Sequence, residues 1–180
     1  MSTWFAIHVK PGTEAQAVEL LRGVAKESGL EELFCPMSAI ELVRRGELVE
    51  EELPMIPGCI VAVSPSKWEL RRALRKADGM TALYSDDRRF DAMDEDEAAL
   101  IGMFTKPGKR IAEMSEGVMD DGHVSIRLGP LAGHEQMVRR YVHRKKRAIL
   151  AASVAGKPAD VQLGLWVTRD ESRIGNRYSK

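Results

Sequence analysis

The sequence has 180 residues, of which 44% are hydrophobic, and its 27 Lys and Arg residues balance its 27 Asp and Glu residues. A chain of this length forms one large domain or two small ones with packed cores. No apolar run approaches the roughly 20 residues that span a bilayer. The first residues also lack the basic segment and long apolar core of a secretory signal, so we expect a soluble cytoplasmic protein.

The charge is divided unevenly along the chain. Residues 1–119 hold 15 Lys and Arg against 21 Asp and Glu, whereas residues 120–180 hold 12 against 6. The first part is therefore acidic by six charges and the second part is basic by six. This asymmetry predicts a basic module, with an anionic partner, carried on an acidic one.

The first ninety residues alternate between strand and helix patterns. The predicted strands have the sequences WFAIHVK, LFCPM, IELVRR, LVEEEL, CIVAVS and MTALYS, with a hairpin turn at Arg45-Gly46-Glu47. Gly29 and Gly79 end the two predicted helices. Each helix begins at a capping box, formed by Thr13 with Gln16 and by Ser66 with Glu69. The order β-α-β-β-α-β predicts a ferredoxin-like α/β sandwich with a hairpin insertion.

A third helix and a linker follow this sandwich. The stretch DEDEAALIGMF predicts a short helix that Asp94 caps. The next stretch, TKPGKRIAEMSEG at residues 105–117, combines proline, glycine and mixed charge with weak periodicity, which is typical of a flexible linker. We therefore predict an N-terminal domain at residues 1–104.

Short strand patterns dominate residues 118–180. HVSIRL, MVRRYVH, RAILAAS and VQLGLW are four apolar or alternating runs at close spacing with turns between them. Such spacing predicts a small all-β barrel as the second domain.

No catalytic or metal-binding pattern is present in the sequence. There is no HExxH, GxSxG, Walker A or GxGxxG motif, and Cys35 and Cys59 do not form a CxxC pair. The four histidines lie at no ligand spacing: His8, His123, His134 and His143. We expect no enzyme activity, no cofactor and no metal, and two reduced thiols.

Six basic residues within nine positions mark the second domain: Arg139, Arg140, Arg144, Lys145, Lys146 and Arg147. Apolar residues are interleaved with them, which predicts a folded hairpin instead of a free tail. Nucleic acid is the favoured partner, and a solvated edge or an acidic protein surface remains an alternative. Strand alternation prevents all six from facing one RNA, since Arg139 and Arg140 point apart unless the strand is bulged.

Aromatic residues near this hairpin are candidates for contacting bases. His134 lies in the preceding loop, and Tyr141 either stacks on bases or belongs to the core. Four phosphate contacts predict a log–log salt slope of roughly −3 for single strands.

Several stretches closely resemble the NusG family. WFAIHVKPGTE, RRGELVEEELPMIPGCIVAV and SKWELRRALRKADGMTAL are similar to successive blocks of its N-terminal domain. VSIRLGPLAGHEQMVRRYVHRKKRAIL is similar to the KOW motif, with Gly129 and Gly133 as its loop glycines, and LGLWV resembles the closing strand of that domain. The resemblance covers nearly the whole chain, and the KOW stretch is its most specific part.

The resemblance implies a monomeric processivity factor for RNA polymerase. The N-terminal domain is expected to bind the clamp helices of the largest polymerase subunit and to reach the second-largest subunit, and so to stabilise the closed clamp. Trp4 and Ile56 are equally compatible with the core, and Arg71, Arg72 and Arg75 face either the non-template DNA or solvent. The polymerase-binding positions are Trp4, Phe5, Met55, Ile56, Pro57, Gly58, Cys59, Trp68 and Met80.

The KOW domain is expected to recruit a second partner. In the general factor of the family this is the termination factor Rho or a ribosomal protein of the small subunit. Here Ala155 replaces the usual bulky contact, which favours a specialised antiterminator similar to the LoaP group, whose KOW domain engages structured RNA such as a nascent hairpin. The expected nucleic-acid-binding residues are the six basic ones above with Arg127 and His134. The alternatives are the general factor and a stand-alone RNA-binding or ribosome-associated protein.

Overall fold

A computed structural model of the chain describes residues 1–178. Its three α-helices are α1 (Glu14–Ala25), α2 (Lys67–Lys76) and α3 (Glu95–Phe104). The strands of the first half are β1 (Thr3–His8), β2 (Glu32–Phe34), β3 (Met37–Arg44), β4 (Glu47–Pro54), β5 (Cys59–Ser64) and β6 (Phe90–Ala92). Those of the second half are β7 (Ile111–Ala112), β8 (Ser115–Asp120), β9 (His123–Leu128), β10 (Val138–Val142), β11 (Arg147–Val154) and β12 (Lys157–Thr168). No described helix is long and apolar enough to cross a membrane.

Two compact units share the chain. The first comprises Met1–Pro36, Ile56–Gly102 and Ser153–Pro158, and the second comprises Met37–Met55, Met103–Ala152 and the chain from Ala159 onward. The units are therefore interleaved in sequence, because the β3–β4 hairpin is grouped with the C-terminal strands. That residues 1–104 and 118–180 form separate domains joined by a linker stays a prediction.

The first unit is built on an antiparallel sheet with strand order β2-β5-β1-β6. Along the chain its elements follow the predicted succession β-α-β-β-α-β. Its core is formed by apolar residues of β1, β5, α1 and α2, among them Ile7, Leu21, Ile60 and Leu70, which have no exposed surface. Burial of this apolar set is the main force that closes the unit.

One predicted strand of this unit is wrong. MTALYS does not form the last strand, because Met80–Ala82 is a short 3₁₀ helix that follows Gly79, whose φ is +88°. Met80 and Leu83 are three positions apart, and this helical spacing places both in the core. The edge strand is instead β6, which pairs with β1 from Phe5 to Ile7.

The helix starts differ in how their backbone amides are satisfied. Thr13 does not cap α1, since its hydroxyl donates to the Lys10 carbonyl at 2.7 Å, and the predicted capping box there is wrong. Ser66 accepts from the Glu69 amide at 3.3 Å, as predicted for α2. At α3 the predicted cap is confirmed, and Asp94 and Glu97 each accept a hydrogen bond from the other's amide.

The second unit contains two sheets, with strand orders β10-β11-β12-β8-β9 and β4-β3-β7. The four predicted C-terminal strands are confirmed as β9 to β12. β8 is an additional strand that pairs in parallel with β12 and antiparallel with β9. It begins inside the predicted linker, and β7 of the same segment pairs with β3. The flexibility of residues 105–117 stays a prediction.

The predicted hairpin in the first half is confirmed. β3 and β4 pair from Met37 and Pro54 to Arg44 and Glu47. Arg45 and Gly46 both have positive φ, 52° and 85°, which fits the tight turns that follow the right-handed twist of a hairpin.

Candidate functional site

The six basic residues that the sequence singles out lie on the β10–β11 hairpin. Its two strands are joined by a short 3₁₀ helix, His143–Lys145, and by Lys146, whose φ is +46°. The hairpin is therefore folded, as the interleaved apolar residues predict, and Ala148, Ile149 and Leu150 of its strand β11 are buried.

A β-bulge near Arg139 changes the direction of the neighbouring side chains. Val138 pairs with Leu150 but Arg140 pairs with Ile149, so that one extra residue lies on β10. Arg139 and Arg140 are consequently both exposed, although strict alternation would send them to opposite faces. The bulge therefore allows Arg139 and Arg140 to contribute to the same surface.

The exposed cations of the hairpin form its free surface. Arg140, Arg144 and Lys145 are exposed, and within residues 1–178 they have no hydrogen-bonded or ion-paired partner. Arg139 donates to Asp160 at 2.7 Å, but both side chains are more than half exposed, and such a pair contributes little to stability. These four side chains are available to an anionic ligand.

Lys146 and Arg147 have structural partners instead. Lys146 forms an ion pair with Glu41 of β3, whose side chain is only 2% exposed. Arg147 donates to the Gln162 side chain at 2.9 Å. Burial lowers the pKa of both groups, and the nearby Arg177 lowers that of Lys146 further. Two of the six predicted nucleic-acid contacts are thus engaged in holding the unit together.

The loop at residues 129–133, which precedes β10, depends on its first glycine. Gly129 has φ of +93°, and a Cβ there would lie 2.5 Å from the Ser115 Cα, so a side chain cannot be accommodated. The Ser115 hydroxyl accepts a hydrogen bond from the Leu131 amide at 3.0 Å. Gly133 also has positive φ but open space around it.

The other candidate residues near the hairpin are placed at its margins. The His134 ring is half-buried and lies edge-on to Phe104, with 6.1 Å between ring centroids. Tyr141 is half-buried and lies 5.6 Å from the His143 ring; burial raises the pKa of its hydroxyl. Arg127 pairs with Glu171 at 3.2 Å on an exposed surface.

Most of the apolar residues assigned to the polymerase face are buried. The expectation that Ile56 lies at an apolar surface is wrong here, because large apolar side chains close to the core are drawn into it. Trp4 is half-buried and packs edge-on against Phe34 at 5.6 Å. The buried members are Phe5, Met55, Ile56, Cys59 and Met80, each at most 5% exposed.

The Pro57-Gly58 turn is the accessible part of that face. Pro57 is exposed and Gly58 half-exposed. Gly58 has φ of +80°, and a Cβ would lie 2.9 Å from the Val9 carbonyl oxygen. The buried carboxylate of Glu14 accepts hydrogen bonds from the amides of Gly58 at 2.7 Å and Gly12 at 2.8 Å. This carboxylate fixes the turn. Sequence reasoning missed that role, because the only local sign of it is the place of Glu14 in the first turn of α1.

Helix α2 presents a second exposed basic surface. Trp68 is 71% exposed, and the Arg71 guanidinium lies 5.1 Å from its ring centroid. Arg72 and Arg75 are exposed on the same helix. An exposed indole beside several guanidinium groups suits a flat, anionic ligand such as a nucleic-acid strand.

The partners of the buried cations are residues that sequence reasoning missed. Arg177 lies 2.7 Å from Glu50, 3.5 Å from Glu116 and 4.0 Å from Glu41. Local periodicity carries no signal for such pairs because their members are far apart along the chain. In residues 1–178 no cluster of His, Cys, Asp and Glu suits a metal ion.

The chain is similar in sequence to a known protein family. The model of the family described as "Transcription termination factor nusG" matches residues 2–101. The transcription termination/antitermination protein NusG of Vibrio cholerae is 24% identical, over 89% of this chain and 91% of that protein. Its counterpart in Vibrio vulnificus is 23% identical with the same coverage. A solved structure described as "Domain interaction in Thermotoga maritima NusG" aligns with a TM-score of 0.42 and 11% identity, over 91% of this chain and 94% of that one.

Proposed function

This chain belongs to the NusG family, whose model matches more than half of it, and we propose that it is a transcription elongation and antitermination factor. It binds RNA polymerase in the cytoplasm and promotes processive transcription of particular operons. It acts by binding, without catalysis of its own.

The N-terminal part makes the polymerase contact in this proposal. A factor that binds the clamp helices of the largest subunit and touches the second-largest subunit stabilises the closed clamp more than the open one, and so disfavours pausing. Trp4, Pro57, Gly58 and Trp68 have the surface for such a contact. Phe5, Met55, Ile56, Cys59 and Met80 support that surface from the interior. Arg71, Arg72 and Arg75 face the non-template DNA.

The KOW part contacts RNA in this proposal. The observation that carries it is the exposed cationic surface of the β10–β11 hairpin, where Arg140, Arg144 and Lys145 lack any partner in residues 1–178. Cations without protein partners are free to replace the counterions of phosphates. The nascent transcript is the polyanion nearest to a factor on the polymerase.

A second candidate function is that of the general factor, which couples polymerase to Rho or to a ribosomal protein. It is favoured by the names of the curated relatives, which describe termination as well as antitermination. Ala155, however, is small and 9% exposed, so this loop offers little apolar surface to a protein partner. We therefore rank RNA contact first.

The test is recovery of core RNA polymerase on the tagged chain, followed by transcription in vitro through an intrinsic and a Rho-dependent terminator. The proposal expects polymerase to be recovered and read-through to rise at both terminators. Termination that increases with Rho would favour the general factor, and failure to recover polymerase would reject the proposed function. Trp68→Ala is the informative variant and Tyr178→Ala its control, since both aromatic residues are exposed but only Trp68 is assigned to the polymerase face.

A further inference from the structure

A cavity of about 240 Å³ lies in the second unit beside the basic hairpin. It is bounded by apolar side chains, one tyrosine, two arginines and one carboxylate: Val124, Ile126, Glu135, Val138, Arg139, Arg140, Tyr141 and Leu165. Four of these residues, Val124, Ile126, Glu135 and Leu165, lie outside the β10–β11 hairpin and are not part of its exposed cationic surface.

The position of this cavity follows from the sheet. β9 and β10 are the two outer strands in the order β10-β11-β12-β8-β9, yet residues of both line it, with Leu165 of the central β12. The sheet therefore curls until its two edges approach each other, and the cavity lies along the seam between them. Its volume is below the roughly 300 Å³ at which ordinary small-molecule pockets begin, so it suits one flat ring instead of a larger ligand.

The walls combine the groups that hold a nucleobase and its backbone. Val124, Val138 and the nearly inaccessible Leu165 supply apolar surface, and Tyr141 supplies an aromatic ring for stacking. The bulge in β10 leaves Arg139 and Arg140 exposed together at this cavity. Arg139 is held by its exposed pair with Asp160, and a phosphate can replace such a partner.

Glu135 gives the cavity its selectivity. One carboxylate oxygen accepts a hydrogen bond from the Ile126 amide at 3.3 Å, which fixes the side chain at the wall. The pKa of Glu135 is lowered, chiefly by a hydrogen bond from its own backbone amide, so the group is ionised at neutral pH. An ionised carboxylate only accepts hydrogen bonds. Guanine is the base whose Watson–Crick edge presents two adjacent donors, N1–H and N2–H, whereas the edges of adenine, cytosine and uracil each place an acceptor beside a donor.

We propose that this cavity binds one unpaired guanine, with its ring beside Tyr141, its donor edge on Glu135 and the flanking phosphates on Arg139 and Arg140. The inference rests on the RNA contact of the proposed function and adds to it a base and a binding site. It also assigns the bulge a purpose, since without it only one of the two arginines would face the strand.

The test uses the full chain and four RNA hairpins that differ only in one unpaired loop base. Fluorescence anisotropy at low salt should show the guanine hairpin binding about tenfold more tightly than the other three, the discrimination of one good two-bond base contact. Glu135→Gln keeps the acceptor for the Ile126 amide but replaces the second carboxylate oxygen by a donor. It should reduce the guanine preference to less than about threefold, while binding itself persists.

A second variant blocks the cavity without changing charge. Val124→Trp should abolish the base preference and leave the salt dependence unchanged, because the phosphate contacts remain. The matched controls are Glu113→Gln and Val43→Trp, an exposed acid and an exposed valine away from the cavity, and both should keep the wild-type preference. If Val124→Trp fails to fold, Glu135→Gln alone decides the question.

The outcomes separate this inference from the function on which it depends. Equal binding of all four hairpins, or a guanine preference that survives in a folded Glu135→Gln, overturns the cavity assignment and leaves RNA binding intact. Absence of any RNA binding by a chain that still recovers polymerase overturns the RNA contact and the cavity together. The same loops made of DNA complete the test: a preference seen in DNA but not in RNA overturns the assignment to RNA.

Discussion

The run of basic residues in the β10–β11 hairpin has two ends in sequence, Arg139–Lys145 and Lys146–Arg147. These two ends of the hairpin use the same residue types for opposite tasks. At Arg139–Lys145 the cationic side chains are exposed, and among the described residues only Arg139 finds a partner, the surface carboxylate of Asp160. At Lys146 and Arg147 they are half-buried, and each is engaged by a residue of another strand. The cations of the first end are accessible to a ligand, whereas those of the second end form contacts that stabilise the fold.

Charge density alone therefore does not define a binding surface. A cation becomes available only where the fold brings no acid or amide to it. β3 and β12 supply Glu41 and Gln162 to the second end of the hairpin. Arg177 extends the same network by contacting Glu41, Glu50 and Glu116. Two cations and three carboxylates thus form one ion-pair network next to the turn of the hairpin.

The largest expected effect comes from removing the acid at the centre of this network. Glu41→Gln leaves Lys146 and Arg177 without their shared carboxylate, and loss of one partner of a buried pair costs about 3–5 kcal/mol. We expect the free energy of unfolding, measured by urea titration with circular dichroism, to fall by about 3 kcal/mol.

The exposed pair of Lys109 and Glu113 provides the control for that variant. Glu113→Gln should change stability by far less, because solvent screens exposed charges. If the two substitutions have similar effects, then Glu41 is not the buried centre of the network, and the contrast between the two ends of the hairpin fails.

A smaller loss of stability is expected from Arg177→Ala. Its side chain is 14% exposed and forms ion pairs with three carboxylates, but Lys146 remains paired with Glu41 when Arg177 is removed. We expect about 2 kcal/mol less stability, near the middle of the range for charged hydrogen bonds. Arg169→Ala, an exposed arginine of the same segment, should leave the unfolding midpoint unchanged. A larger effect at Arg169 would show that the segment acts by its total charge and not by this contact.

The local features of the fold were predictable from the sequence. The two-residue turn of the β3–β4 hairpin, the left-handed Gly29 that closes the 3₁₀ turn after α1, and the cap of α3 at Asp94 each depend on residues within a few positions. Apolar alternation likewise predicted four of the C-terminal strands. These elements carry their signal in their own residues.

The remaining features depend on distant residues and were missed or misjudged. β8 has the sequence SEGVMD, whose glycine weakens the strand pattern; Gly117 is nonetheless packed closely, since a Cβ would lie 3.0 Å from the Ser125 carbonyl oxygen. Glu14, not Thr13, organises the start of α1, because its acceptors are used by Gly58, 44 positions away. Lys146 and Glu41 are separated by 105 positions. No local pattern reports such contacts.

The candidate site was predictable in composition but not in geometry. The basic hairpin could be located from the sequence. Strand alternation also implied that the adjacent Arg139 and Arg140 can face one side only if β10 is bulged, and the pairing of β10 with β11 has such a bulge. Which of the six cations are free and which have partners could not be predicted from the sequence. That depends on the neighbouring strands β3 and β12, which bring Glu41 and Gln162 to Lys146 and Arg147. The burial of Ile56 was misjudged for the same reason.

The exposed end of the hairpin should govern RNA affinity and leave stability unchanged. Arg144→Ala combined with Lys145→Ala removes two phosphate contacts, so RNA binding should weaken about tenfold at low salt, and the log–log salt slope should fall by about 1.4. The loss should be the same for all RNA sequences, because phosphate contacts carry no base information. Anisotropy titrations across a salt series measure both quantities.

Lys146→Ala is the internal control for this double variant. It removes one cation from the same turn, but one that Glu41 already neutralises. We expect it to destabilise the fold and to leave the salt slope within error. A reduced slope for Lys146→Ala in protein that remains folded would mean that RNA competes with Glu41 for this lysine, and that the two ends of the hairpin act as one surface.

A smaller effect is expected at Arg139, which is neither free like Arg140 nor half-buried and paired like Lys146. Arg139 is exposed yet paired with Asp160 at 2.7 Å, so its charge is only partly available to RNA. Asp160→Asn removes the competing carboxylate and one negative charge from the binding surface. It should tighten RNA binding about two- to threefold, corresponding to the roughly 0.5 kcal/mol of an exposed ion pair, with no change in the unfolding midpoint. Asp120→Asn, a substitution of another exposed aspartate, tests whether net charge alone explains the gain. Equal tightening by both variants would attribute it to net charge; tightening by Asp160→Asn alone would show that the pair restrains Arg139 and that availability, more than number, sets how many cations the RNA meets.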